Sequence, residues 1–134
     1  MLRVIILASI SAIGLAGCAQ SFDEPISQKA AMRFDAELAG LIPGRPQTCL
    51  PPRSTASVVA ARDGVLLFRD GRTVYANATR GGCARAADNR NTLVTQNFSS
   101  GLCSGTLAQV VDLSAHGSIM GSCVLGDFTP YRRR

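Results

Sequence analysis

The chain has 134 residues, 14 Lys and Arg against nine Asp and Glu, a formal charge of +5 and 46% hydrophobic residues. That length accommodates one domain and excludes two with real cores. With two tyrosines, five phenylalanines, no tryptophan and basic residues mostly scattered, it lacks the clustered basic face with aromatic residues that a nucleic-acid surface requires.

Arg3 precedes an apolar run, residues 4 to 17, interrupted only by Ser9 and Ser11. A positive charge, a short apolar region and small residues form the layout of a secretory signal peptide. At 14 residues the run is shorter than the roughly 20 that a helix needs to cross the hydrocarbon core. A permanent transmembrane anchor is therefore the weaker reading. Leu15, Ala16, Gly17 and Cys18 resemble the bacterial lipobox, which directs diacylglycerol to the cysteine sulfur and cleavage on its N-terminal side. The resemblance implies a signal peptide over residues 1 to 17, a lipidated Cys18 and a mature chain of 117 residues with charge +4. The alternative is that Cys18 is the last small residue of an ordinary secretory signal. Stable anchoring takes at least two acyl chains, at about 0.8 kcal/mol per buried methylene, and a triacylated cysteine meets that requirement. Ala19 follows the cysteine. By resemblance to Gram-negative lipoproteins, the absence of Asp there implies the outer membrane, with the body of the protein facing the periplasm.

With Cys18 assigned to lipid, Cys49, Cys83, Cys103 and Cys123 remain, an even number in a compartment where disulfides persist. None of them lie two to four residues apart, and His116 is the single histidine, so two disulfides are expected and no metal or other cofactor. Each should stabilise the domain by about 3 kcal/mol in the chain-entropy picture.

Residues 18 to 26 read as the lipidated cysteine and a short tether with Ser21, Asp23, Glu24 and Pro25. From Ser27 the pattern changes. Ala31, Phe34, Leu38 and Leu41 recur at helical spacing, with Lys29, Arg33, Asp35 and Glu37 largely off that face, predicting an amphipathic helix and link over residues 27 to 44. Ser27 is a suitable N-cap and Gly40 or Gly44 a suitable stop. Covering one open side of a sheet is the commoner use of such a helix.

From Cys49 on, short β-type runs take over. Residues 54 to 61 lead into Arg62-Asp63-Gly64, a turn. Residues 65 to 77 are the clearest hairpin, with Asp70-Gly71 suited to a type I′ turn. A longer turn region holds Gly81, Gly82 and Cys83, and strand-like runs follow at residues 92 to 98, 106 to 113 and 118 to 125. The expected fold is mainly β: a compact antiparallel sheet or small barrel over residues 45 to 131, with one N-terminal amphipathic helix and two disulfides. In a simple up-and-down path Cys49 would meet Cys103 and Cys83 would meet Cys123. Four cysteines allow three connectivities, and a Greek-key crossing would change the pairing.

Cys49, Leu50 and Arg53, then Tyr75 and Asn77, and finally Cys123, Leu125, Gly126 and Phe128 resemble a pattern in small alphaproteobacterial proteins, frequent in sphingomonads, that are uncharacterised secreted proteins or lipoproteins. The likeness covers roughly residues 45 to 130. This chain departs from it after Leu102-Cys103, where Ser104, Gly105 and Thr106 stand in place of an acidic residue, and it has a longer, arginine-bearing end. The resemblance implies fold and location and supplies no mechanism.

Residues that could carry chemistry are few. His116 has Asp112, Ser114 and Ser118 nearby, yet a triad is a matter of geometry, and a surface turn is the default reading. Asp63 and Asp70 are explained by turns. Gly81-Gly82 lacks the lysine of a phosphate loop. No catalytic residue is assigned. Arg53 and Tyr75 are the candidate binding surface, against a solvated strand edge for Arg53 and a half-buried sheet position for Tyr75. The basic tail, Arg132, Arg133 and Arg134, suits lipid phosphates or peptidoglycan carboxylates, against a frayed terminus. The expected function is a non-enzymatic binding or structural module, anchored to the membrane by its lipid, that meets an envelope protein or polymer. The alternative is an inhibitor of a lytic enzyme, as in membrane-bound lysozyme inhibitors, although the single mature lysine, Lys29, lies in the predicted helix.

Overall fold

The computed structural model describes residues 28–52, 54–88, 90–96 and 101–134. The signal peptide, Cys18, the tether, Ser27 and Arg53 lie outside the described residues, as does the end of the run at residues 92 to 98.

Helix α1 (Gln28–Leu38) follows the apolar spacing. Phe34 is buried, and Leu38 and Leu41 pack against the same cluster. Gly40, at φ 71°, takes the left-handed conformation that ends helices at little cost. Leu41 then donates its N–H to the Leu38 carbonyl at 3.1 Å.

Among the described residues, nine strands form two antiparallel sheets: β1 (Ile42–Pro43), β2 (Ser57–Arg62), β3 (Val65–Asp70), β4 (Thr73–Ala78), β5 (Arg80–Gly81), β6 (Asn91–Thr95), β7 (Leu107–Asp112), β8 (Ser118–Val124) and β9 (Phe128–Arg132). A 3-10 turn, Ala84–Ala87, links β5 to β6. The first sheet runs β1-β9-β4-β3-β2 and the second β5-β8-β7-β6. A simple up-and-down path is thus corrected: after β4 the chain leaves the first sheet, builds the second, and returns as β9 beside β4.

Both faces of the first sheet are covered. Ala60, Leu67 and Val74 meet Phe34 of α1, while Leu66, Phe68, Tyr75 and Phe128 meet Ala108, Val110 and Cys123 of the second sheet. This explains why Val65 to Phe68 is a continuous apolar run rather than an alternating one. Phe68 and Phe128 meet edge to face with centroids 5.7 Å apart, a favoured aromatic geometry. The second sheet buries one face only; Val94, Leu107 and Ile119 on its other face are exposed.

The two tight turns differ from each other. Asp63 and Gly64 both have positive φ, 49° and 76°, the signature of a type I′ turn. Asp70-Gly71 is not a second one. Asp70 pairs with Thr73, so Gly71 and Arg72 form the loop, and only Gly71 has positive φ, as in type II′. Centring the loop on Asp70-Gly71 would set Arg69 directly opposite Arg72, and like charges facing across strands are unfavourable.

The chain crosses between sheets at Thr79 and again at residues 125 to 127, and Asn77 joins the two crossings. Fully buried, it donates through Nδ2 to the Gly126 carbonyl at 2.7 Å and accepts from the Gly126 N–H at 3.0 Å. A Cβ on Gly126 would lie 2.3 Å from the Ala78 carbonyl oxygen, so only glycine fits there without backbone movement.

The disulfides are Cys49–Cys103 and Cys83–Cys123. Residues 48 to 50 lie alongside residues 102 to 104, with Leu50 donating to Leu102 and Ser104 to Thr48 at 2.9 and 2.7 Å, which brings the first pair together. The second pair is buried in the main core and ties the start of the 3-10 turn to β8.

Candidate functional site

The ends of three elements converge on a cleft of about 760 Å³. The C-terminal end of α1 contributes Glu37 and the turn after it Leu41, the β3–β4 hairpin contributes Arg69, Arg72 and Thr73, and Arg132 at the end of β9 is followed by Arg133 and Arg134. Register explains the convergence. Val74, in the floor, pairs with Arg69 on one side and Tyr131 on the other, so the hairpin arginines and the basic tail flank β4.

Helix docking sets the upper wall. Arg62 Nη1 binds Asp35 Oδ1 at 2.6 Å, and its guanidinium lies 4.4 Å from the Phe34 ring centroid, a cation–π distance. Arg69 pairs with Glu37. The two carboxylates read as lying off the apolar face sit at its margins and reach sheet arginines. Such exposed pairs contribute under about 1 kcal/mol each, so they orient the helix more than they hold it; Phe34 does the holding.

Five arginine side chains and one carboxylate side chain line the cleft. Among the described residues, Arg72, Arg132, Arg133 and Arg134 have no ion-pair partner. Each keeps its guanidinium donors available, in a planar fork that matches oxyanions. The basic tail is therefore one wall of a shaped, cationic recess.

The other sequence candidates lie elsewhere. Tyr75, expected at a binding surface, is 2% exposed and packs in the main core opposite Phe68. It cannot line a surface groove, because the second sheet covers that face of β4. His116 is exposed at φ 55° in the β7–β8 turn and makes no hydrogen bond among the described residues. Asp112 instead accepts from the Ser114 hydroxyl at 2.6 Å and the Ser114 N–H at 2.8 Å, while Ser118 Oγ donates to the Ala115 carbonyl. The Ser114 hydroxyl first, then its N–H, hold the Asp112 carboxyl below the usual range against a smaller opposing effect of burial. These groups close a turn and are not arranged as a triad.

Arg69, Arg72 and Glu37 were not singled out from the sequence. The available signal was an arginine on each side of Asp70-Gly71; joining that pair to the tail requires β9 to lie against β4, a nonlocal contact. Compared with family models, curated proteins and solved structures, the chain matches none.

Proposed function

We propose that this chain is a non-enzymatic binding module of the bacterial envelope, exported by residues 1 to 17, held by a lipid on Cys18 at the periplasmic face of the outer membrane, and presenting the arginine cleft to an anionic envelope component. The cleft carries the reading: four arginines without ion-pair partners among the described residues line it, and their planar forks match oxyanions. The mutual pairing of the other four cysteines supports the lipid assignment, since it leaves Cys18 as the odd one.

Fractionation of cells expressing the wild type, Cys18→Ser, and Cys18→Ser with Arg72, Arg132, Arg133 and Arg134 all changed to Gln tests both halves. The wild type should stay in the membrane pellet. The Cys18→Ser form should move to the periplasm yet sediment with isolated envelopes at low salt, and the arginine-free form should not. Envelope binding that ignores the arginines would refute the cleft as the binding site.

A further inference from the structure

Resting on the reading of the cleft as a binding site, we propose that its ligand carries two phosphate groups on one compact scaffold. Charge sets the first limit. Counting side chains alone, five arginines against Glu37 leave four positive charges, and a chain ending at Arg134 adds its α-carboxylate and leaves three. A phosphate monoester carries about −1.5 to −2 near neutral pH, so two of them match that excess. A uronic-acid polymer brings one charge per sugar, so a disaccharide unit supplies two negative charges where two phosphate monoesters supply about three to four.

Spacing sets the second limit. Arg69 on β3 and Arg132 on β9 stand on opposite sides of β4, with Arg72 in the β3–β4 loop and Arg133 and Arg134 after β9. Strands lie about 4.8 Å apart, so groups on β3 and β9 stand roughly 10 Å apart at the backbone. One phosphate engages each group, and the scaffold between them lies over β4 with Val74 and Leu41 beneath. Arg69 is held in place by Glu37, which fixes one arginine of the hairpin group before the ligand arrives. A sugar bisphosphate and a diphosphorylated glycolipid headgroup share this chemistry.

The test is calorimetric titration of the full chain in mild detergent with fructose bisphosphate, fructose monophosphate and digalacturonate, beside binding to phosphatidylcholine vesicles carrying diphosphoryl or monophosphoryl lipid A. Each charged hydrogen bond lost costs enough to weaken binding about tenfold. The bisphosphate should therefore bind about tenfold more tightly than the monophosphate, and Arg72→Gln and the triple change at Arg132, Arg133 and Arg134 should each remove about that factor. Arg80→Gln, outside the cleft, should bind as the wild type does. The same preference on vesicles identifies a membrane headgroup as the source; preference for the soluble sugar alone identifies a free metabolite. Equal binding of the two fructose phosphates, or tightest arginine-dependent binding of digalacturonate, would overturn the two-phosphate proposal and leave the anionic cleft standing. No arginine-dependent binding of any probe would overturn both.

Discussion

Removing each disulfide separately distinguishes what covalent closure contributes from what packing contributes. The bridges span 54 and 40 residues, and the chain-entropy relation gives about 4 kcal/mol for each, differing by only about 0.3 kcal/mol. Their surroundings differ far more. Cys83 and Cys123 are 1% and 2% exposed and belong to the main core, whereas Cys49 is exposed and Cys103 half-buried. Cys83→Ala/Cys123→Ala removes two core sulfurs as well as the crosslink, adding roughly 1 kcal/mol per lost atom group. The expected losses are about 4 kcal/mol for Cys49→Ala/Cys103→Ala and about 6 kcal/mol for the buried pair. Since domains of this size are stable by about 5–15 kcal/mol, the buried-pair variant should stand close to unfolding. Urea denaturation under oxidising conditions, with thiol titration confirming that the remaining bridge is intact, measures both. Equal losses, or a larger loss for the 49/103 pair, would refute the packing argument; a loss under about 1 kcal/mol for that pair would refute the closure argument.

Further outcomes follow from the crossings, the helix and the turn. Asn77→Ala leaves the Gly126 N–H and carbonyl without their partner and should cost about 2–4 kcal/mol, while Gly126→Ala should be at least as damaging because its Cβ meets the Ala78 carbonyl; urea midpoints near wild type would count against the staple. Phe34→Ala should cost about 3 kcal/mol and Asp35→Ala under about 1 kcal/mol in the same assay, and the reverse order would mean that ion pairs hold α1. Asp112 has a lowered folded-state pKa, so its contribution is present above about pH 3.9, the ordinary carboxylate value, and is lost as pH falls through the folded value. Asp112→Asn should therefore lose less stability than wild type between pH 7 and pH 3, whereas parallel pH curves would show that the Ser114 bonds do not matter.

Local signals were legible and nonlocal ones were not. The α1 spacing, the Asp63-Gly64 turn and the β3–β4 and β7–β8 runs follow from periodicity and turn chemistry confined to a few residues. β9 was hidden because it is short and contains Pro130, and proline argues against a central strand. The structure reconciles the two: the Pro130 carbonyl accepts from Gly44 on the β1 side at 2.7 Å, and a strand residue's N and carbonyl point the same way, so the missing N–H faces the short β1 edge and not β4. Missing β9 meant missing the cleft, since the tail reaches Arg69 and Arg72 only through β9–β4 pairing. The full burial of Tyr75 is hidden for a related reason: the alternation within β4 suits a half-buried sheet position and does not reveal that a second sheet covers one of its faces. The sequence pattern through Tyr75, Asn77, Gly126 and Phe128 proves to be architectural, gathering residues that bury the inner face of the first sheet and stitch its crossings.

Intact mass spectrometry of the protein extracted from membranes tests the proposed placement in the envelope most directly. The expected species begins at Cys18 and carries a diacylglyceryl group and an N-acyl chain. An unmodified chain, or one beginning at any other residue, would contradict the lipid anchor and with it the outer-membrane location.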